Sequence, residues 1–130
     1  MAEPERYKYV EDYSPPAPFG YISLAQPQED GPVMEDVPAQ IDSASDYTIL
    51  PQSLIEQLRL VRLGQVSVMG FSGAVHTVPT YLVRLGLKNR EPSLVRVLAD
   101  PNESVPIVGR DVLNQFRIVL DGPNQVLIVE

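Results

Sequence analysis

The sequence of 130 residues contains no cysteine and a single histidine, His76. The absence of cysteine excludes disulfide bonds and thiol chemistry, and it fits a reducing compartment. One histidine excludes a histidine-rich metal site, and a serine-type catalytic triad would have to use His76 as its base. A half-exposed position on a strand is the simpler interpretation of that residue.

Long apolar runs and basic residues are also scarce. No run approaches the ~20 apolar residues of a membrane-spanning helix, and the start, "MAEPERYKYVEDYSPP", has no apolar core typical of a secretory signal. Ten Lys and Arg residues against seventeen Asp and Glu residues give a net charge of -7, which argues against a nucleic-acid surface. We therefore expect a cytoplasmic protein that binds neither nucleic acid nor membrane.

The chain length fits one domain with a single hydrophobic core. Residues 1–18 are charged and then Pro-rich, and they are assigned to an N-terminal arm. Because proline cannot donate ladder hydrogen bonds, the Pro cluster "YSPPAPFG" predicts an extended segment rather than a strand. Residues 19–130 predict an all-β domain, a closed barrel with one or two short helices. The strands are predicted from runs rich in Val, Ile, Leu and Tyr, and the helices from "PQSLIEQLRL", after Pro51, and "GRDVLNQF".

Three segments carry candidate chemistry. The stretch "AQIDSASDYTILP" places two acids, Asp42 and Asp46, between two apparently buried strands. The stretch "PIVGRDVLNQF" runs from an apolar pair through a glycine into a short helix, and "VSVMGFSGAVHTV" has the form of a glycine-containing hairpin. Taken singly, the first is also compatible with a self-capping polar turn and the second with a solvated helix start.

Taken together, in this order and spacing, the three segments resemble the retropepsin-like aspartic peptidases, single-domain relatives of pepsin. The resemblance covers roughly residues 19–130. It rests on an Asp-Ser loop, on a later hydrophobic-Gly-Arg-Asp element and on a hairpin between them. The matching positions are, in turn, Ile41, Asp42, Ser43, Ala44, Ser45, Asp46 and Thr48; Gly109, Arg110 and Asp111; and Gly70, Phe71, Ser72 and Gly73.

The resemblance implies an aspartic endopeptidase that needs no metal and no cofactor. In that family, two aspartates share a proton across a bound water, because two like charges so close together cannot both ionise. This chain has one Asp-Ser loop and is too short for two lobes. Asp42 would therefore meet Asp42 of a second copy on the axis of a two-fold homodimer, whose other partner is a peptide or protein substrate.

The same resemblance implies roles for the neighbouring residues. Ser43, Ala44 and Ser45 would form the active-site loop, and the hydroxyl of Ser43 would hydrogen-bond across the dimer and stiffen that loop. Asp46 would bind the substrate backbone and pair with Arg110. Thr48, Gly109, Arg110 and Asp111 would support the loop structurally. Asp111 would accept a hydrogen bond from Thr48 and cap its own helix. Gly70, Phe71, Ser72 and Gly73 would form the mobile tip of a flap over the substrate. The apolar end "QVLIVE" would otherwise leave an exposed sheet edge, so it is expected in the dimer sheet.

Ala44 departs from the family pattern, which has glycine at this position. A methyl group there could crowd the substrate or displace the aspartate. Three hypotheses follow: an active homodimeric peptidase, a catalytically weak or inactive peptide-binding or dimerisation module of the same fold, and a small β-barrel scaffold without a functional cleft.

Overall fold

The computed structural model of the protein describes residues 3–28, 30–70 and 72–130. Strands make up most of the ordered elements in this part of the chain, and two short helices interrupt them. The predicted mainly β fold with two short helices is confirmed, whereas the closed barrel and the two-fold dimer remain predictions. The strands are β1 Glu5–Lys8, β2 Phe19–Ala25, β3 Val33–Ile41, β4 Ile49–Pro51, β5 Arg62–Met69, β6 Val75–Leu87, β7 Ser93–Asp100, β8 Ile107–Val108, β9 Ile118–Asp121 and β10 Val126–Val129, and the helices are α1 Gln52–Gln57 and α2 Arg110–Leu113.

The main sheet of the described residues has the strand order β2-β3-β8-β4-β7-β6-β5, and β2 also pairs with β6. Followed from β2 through β3, β8, β4, β7 and β6, the hydrogen-bonded pairings therefore lead back to β2. Aliphatic side chains from these strands and from both helices form one core; its fully buried members include Ile22, Leu24, Leu50, Leu58, Val83, Leu85, Val97 and Val108.

The centre of this sheet brings two of the sequence motifs together. Strands β3 and β8 run parallel, with Gln40 opposite Ile107 and Ile41 opposite Val108. Because the carboxyl ends of parallel strands meet at one edge of a sheet, the residues that follow Ile41 and Val108 emerge side by side. The Asp42 loop and the Gly109 segment are therefore neighbours in space, although they are far apart in sequence.

A second sheet contains the two ends of the chain. Among the described residues its order is β1-β10-β9, and every pairing is antiparallel. No strand was predicted in the N-terminal arm, but Glu5–Lys8 forms one, in which Tyr7 lies opposite Leu127 and packs against the core. The proline cluster itself lies outside the named strands, as predicted. A domain boundary at residue 18 stays a prediction.

The C-terminal strand does not leave an exposed edge, contrary to the expectation from "QVLIVE". Strand β10 is the central strand of the second sheet, with β1 on one side and β9 on the other. The edge prediction failed because it did not anticipate that the arm supplies a strand. The exposed edges of this sheet, within the described residues, are those of β1 and β9.

The helices are short and lie beside the site. Pro51 precedes α1 as its N-cap and does not occupy the first turn as expected, while Ile55 and Leu58 bury the apolar side of this segment. Helix α2 follows Gly109 and buries Val112 and Leu113. Neither helix, and no other in residues 3–28, 30–70 and 72–130, has the length and hydropathy needed to cross a membrane.

Candidate active site

Asp42 lies at the end of β3, in a tight turn that the local backbone holds in place. Its own N–H donates to the Val108 carbonyl at 3.0 Å, which ties the turn to β8. Its Oδ1 accepts from the Ala44 N–H at 2.9 Å, and its carbonyl accepts from the Ser45 N–H at 3.2 Å. The carboxylate is partly buried at the surface of the subunit. These contacts fix the side chain and leave Oδ2 available for another partner.

Thr48 and Asp111 lock the Asp42 loop to helix α2. The buried Thr48 hydroxyl donates to Asp111 Oδ1 at 2.7 Å, and the Thr48 N–H donates to Asp111 Oδ2 at 3.0 Å. The same hydroxyl accepts from the Gly109 N–H at 3.1 Å, so it both donates and accepts a hydrogen bond. The predicted Thr48–Asp111 contact is confirmed. The predicted helix cap is wrong, because both carboxylate oxygens of Asp111 bind Thr48 and the N-cap residue, Gly109, makes no side-chain cap bond.

Gly109 occupies a position where no side chain fits. A Cβ atom at this residue would lie 2.5 Å from the Tyr47 carbonyl oxygen and 2.8 Å from the Ser45 carbonyl oxygen. Both obstacles are backbone atoms of the loop after Asp42, and they cannot rotate away. The next residue strengthens the contact, since the Arg110 N–H donates to the Ser45 carbonyl at 2.9 Å. Glycine therefore allows the two loops to approach each other directly.

The guanidinium of Arg110 bridges both ends of the aspartate loop. One nitrogen, Nη1, donates to the Ser43 carbonyl at 2.6 Å, and the other, Nη2, pairs with Asp46 Oδ1. The predicted Arg110–Asp46 ion pair is present. The contact with the carboxylate uses one guanidinium nitrogen, because the second donor binds backbone. Both side chains are substantially exposed, so the pair contributes little to stability, about 0–1 kcal/mol, and acts mainly by fixing the shape of the loop.

Ala44 fits its loop without backbone strain. Among the described residues, the non-glycine positions with positive φ are Asp36, Arg59, Asn89 and Gln125. Ala44 is not one of them, so it does not need the left-handed conformation that favours glycine. Its side chain is exposed. Any cost of this methyl group would therefore arise against a bound molecule and not within the subunit.

The predicted flap is a long antiparallel hairpin formed by β5 and β6, with Met69 opposite Val75 at its distal end. The Gly70 N–H donates to the Ala74 carbonyl at 2.9 Å, and Gly73 turns the chain with φ of +82°, a conformation suited to glycine. Ser72 is exposed at the tip, and Phe71 lies outside the described residues. The hairpin is in the predicted place, and its motion remains a prediction.

A cavity of about 630 Å³ lies between this hairpin and strands β4 and β7. Apolar side chains from four strands line it, among them Ile49, Val68, Val78 and Leu98, and polar side chains line the rest: Gln52, His76, Thr77, Asp100 and Asn102. His76 was interpreted from the sequence as a strand residue without a site, and no sequence motif marks the polar lining. Among the described residues, Asp42 is not part of the lining, and Ile49 in β4 is the lining residue that follows it most closely in the sequence.

Similar folds occur in solved aspartic proteases. A retropepsin-like aspartic protease from Rickettsia conorii superposes with a TM-score of 0.61 at 10% identity, covering 99% of this chain and 93% of that one. The retroviral protease-like domain of Ddi1 from Leishmania major gives 0.52 at 16% identity, covering 86% and 88%. The EIAV protease complexed with the inhibitor HBY-793 gives 0.51 at 19% identity, covering 76% and 86%.

The chain has a retropepsin-like fold. The resemblance seen in the sequence is thus confirmed at the level of fold. No protein-family model and no curated protein matches the chain. Since the structural neighbours share at most 19% of their residues with this chain, their activities are not transferred by the likeness alone. The site itself has to carry the functional argument.

Proposed function

We propose that this protein is an aspartic endopeptidase that acts as a two-fold homodimer, with Asp42 from each copy forming one catalytic pair. The observation that carries the proposal is the bracing of the Asp42 turn by the Gly109 segment. Val108 holds the backbone of Asp42, and Arg110 holds the Ser43 carbonyl. A reacting carboxylate needs such rigidity, because a small displacement of its oxygen atoms lowers the reaction rate.

The proposed chemistry uses two carboxylates and one water. In the dimer, one Asp42 carboxylate is ionised and takes a proton from the water as the water oxygen attacks the scissile carbonyl carbon. The other Asp42 is protonated and donates a hydrogen bond to the developing oxyanion. The first Asp42 then returns the proton it took from water to the leaving nitrogen, the carbon–nitrogen bond breaks as the tetrahedral intermediate collapses, and the second Asp42 stabilises the oxyanion until the carbonyl re-forms. No metal or cofactor is required.

The surrounding residues are proposed to bind an extended peptide. Asp46 is exposed next to the catalytic turn, and Arg110 orients its carboxylate so that free lone pairs can accept from substrate backbone N–H groups. The hairpin would close over the peptide and exclude water. The cavity beneath it has an apolar wall and a polar wall with Asp100, which suits a side chain with an aliphatic stem and a polar or basic end.

A second candidate is a binding module of the same fold that holds peptide without cutting it. Ala44 favours this candidate, since its methyl group is exposed close to Asp42 and the family pattern has glycine at the position of Ala44. The turn itself tolerates alanine. The two candidates therefore differ in whether that methyl group prevents a substrate carbonyl from reaching the catalytic pair.

We expect Ala44→Gly to raise kcat/KM by up to about 100-fold, because removing the methyl group lets the scissile residue approach the aspartates. Because alanine fits the turn without strain, the same change should lower the free energy of unfolding by about 0.4–1 kcal/mol through unfolded-state entropy. Cleavage of a peptide library by the parent and the variant, at matched concentrations of folded dimer, checks both effects.

The control is Ala44→Gly combined with Asp42→Asn, which should show no cleavage. If neither the parent nor Ala44→Gly cuts any peptide at acidic or neutral pH, and both bind peptides, the binding module is the better description.

A further inference from the structure

Strands β6 and β7 turn one face to the core and the other away from it. Val83 and Leu85 on β6, and Val95 on β7, are at most 5% exposed and belong to the core. Because successive side chains of a strand point to opposite faces, Leu82 and Arg84 on β6 point away from the core. We call this second side of the two strands the outer face.

The outer face carries two leucines and two arginines in a crossed arrangement. Leu82 lies opposite Arg96, and Arg84 lies opposite Leu94, which is 53% exposed. Residues directly opposite each other in an antiparallel pair point to the same face, so the two arginines are diagonal neighbours and so are the two leucines. A carboxylate placed between the guanidinium groups would therefore be attracted by both.

Two cavities open on the outer face beside residues 26–28, which contribute to both linings. The first has a volume of about 320 Å³ and includes Leu82, and the second has a volume of about 250 Å³ and includes Arg84. Three further apolar side chains of these linings are more than half exposed: Val61 and Leu63 in the first cavity and Val33 in the second. Exposed apolar side chains clustered in this way mark an interaction site.

The segment between the cavities is held by side chains from two other elements. Arg84 Nη2 donates to the Pro27 carbonyl at 2.6 Å, and Gln26 Nε2 donates to the Leu58 carbonyl at 2.9 Å. These bonds fix the walls of both cavities before any partner arrives. A preformed surface of this kind loses little conformational freedom on binding.

The arginines of this face have no carboxylate partner within the described residues. None of the ion pairs there includes Arg59, which lines the first cavity, or Arg84 or Arg96. Glu35 lines the second cavity with Arg84 but forms no ion pair with it. Arg96 donates from Nε to the buried Thr80 hydroxyl at 3.1 Å, which anchors its guanidinium on the outer face. A chain of net charge -7 thus has a local basic region.

We propose that the outer face binds an extended segment of a protein partner in which acidic and apolar residues alternate at the positions facing it. An extended chain directs every second side chain to one side, so such a segment matches the alternating leucines and arginines. Its apolar side chains would enter the two cavities, and its carboxylates would pair with Arg84 and Arg96. The Asp42 loop lines neither cavity, so this surface is separate from the candidate active site.

The shape and charge of the molecule favour a peptide over a membrane or a nucleic acid. Two cavities with apolar walls accept individual side chains, whereas a lipid surface is flat. The net charge of -7 repels a large anionic surface as a whole. A short acidic segment escapes most of this repulsion, because charges farther away than about 8 Å are screened at physiological ionic strength.

The probe for this surface is a fluorescent peptide in which the unit Leu-Ser-Asp-Ser repeats, so that leucine and aspartate alternate on one side. Fluorescence anisotropy with the full chain should show saturable binding that weakens as the NaCl concentration rises. The same peptide with lysine in place of aspartate should bind at least about tenfold more weakly, because it meets arginines with like charge.

Substitutions at the exposed Leu94 test the surface without disturbing the core. Leu94→Glu places a carboxylate opposite Arg84, where it competes with the partner, and should raise the Kd of the aspartate peptide at least about tenfold. Leu94→Gln and Leu94→Lys remove the apolar contact alone, so each should raise the Kd only about threefold. Leu120→Glu is the matched control, because Leu120 is 51% exposed on the second sheet, and it should leave the Kd unchanged. Thermal unfolding verifies that each variant is folded.

Three results would overturn the proposal. The first is a parent protein that does not bind the aspartate peptide. The second is an equal effect of Leu94→Glu and Leu120→Glu, or of Leu94→Glu and Leu94→Lys, since the site or its charge preference would then be wrong. The third is binding of single-stranded DNA or phosphatidylserine vesicles in preference to the peptide, with loss in Leu94→Glu, which would assign the surface to another class of partner.

This inference does not depend on the proposed function, and the outcomes separate the two. A parent protein that binds the aspartate peptide through Leu94 but cleaves no peptide would preserve the docking surface and reject the peptidase. A parent protein that cleaves peptides through Asp42 but does not bind the probe would preserve the peptidase and reject the docking surface.

Discussion

Asp42→Asn is expected to reduce kcat/KM for peptide hydrolysis by about 10²–10⁴-fold or more, below the detection limit of an ordinary assay. An amide cannot take the proton from the attacking water, so the base of the proposed mechanism is lost. The amide oxygen can still accept from the Ala44 N–H, at the position of Asp42 Oδ1, and the turn should keep its shape. Cleavage of a peptide library at acidic and neutral pH, followed by kinetics on the best substrate, provides the measurement.

The matched control is Asp36→Asn, which alters an exposed carboxylate that pairs with Lys88. It should leave hydrolysis unchanged, because that ion pair joins β3 to the residue that follows β6 and does not contact the aspartate loop. Hydrolysis that survives Asp42→Asn and responds to Asp36→Asn would reject the assignment of the catalytic residue.

Gly109→Ala is expected to give the largest loss of stability, about 3 kcal/mol or more in the free energy of unfolding. The added Cβ would stand 2.5 Å from the Tyr47 carbonyl oxygen, well inside van der Waals contact, and overpacking typically costs 1–3 kcal/mol even where side chains can shift. Here the obstacle is backbone, so the Asp42 loop and α2 must separate. Chemical denaturation monitored by circular dichroism measures the change.

Gly122→Ala is the control for that experiment. Gly122 lies in the turn between β9 and β10, and a Cβ atom there would meet nothing within 4 Å. Its replacement should change stability by less than about 0.5 kcal/mol, as surface substitutions usually do. Equal effects at both glycines would show that Gly109 has no special packing role. The contact between the two motifs would then not explain the bracing of Asp42.

The sequence predicted the part of the site that depends on motif residues. The Thr48–Asp111 and Asp46–Arg110 contacts could be expected from what the family resemblance implies for these residues. The prediction that Asp111 caps its helix was wrong, because its two carboxylate oxygens accept from the N–H and the hydroxyl of Thr48 and neither binds the N-terminus of α2. Competition between two partners for one side chain is settled only by three-dimensional packing.

Strand pairing at the chain ends was not predictable in the same way. Glu5–Lys8 has little apolar character, and it forms a strand because β10 offers it an edge and the core accepts Tyr7. Tertiary context of this kind overrides local strand preference. The polar lining of the cavity with His76 also appears only when β6 is placed against β7.

Subunit mixing tests the central claim most directly, namely that Asp42 of two copies forms one catalytic site. Parent and Asp42→Asn chains are mixed in varying proportions, allowed to exchange subunits, and assayed at constant total protein. If the site is shared, activity follows the square of the parent fraction, and an equal mixture retains about one quarter of the activity, because dimers with one asparagine are inactive. An equal mixture that retains half of the activity, on a straight line with the parent fraction, would show that each chain carries its own site and would contradict the account.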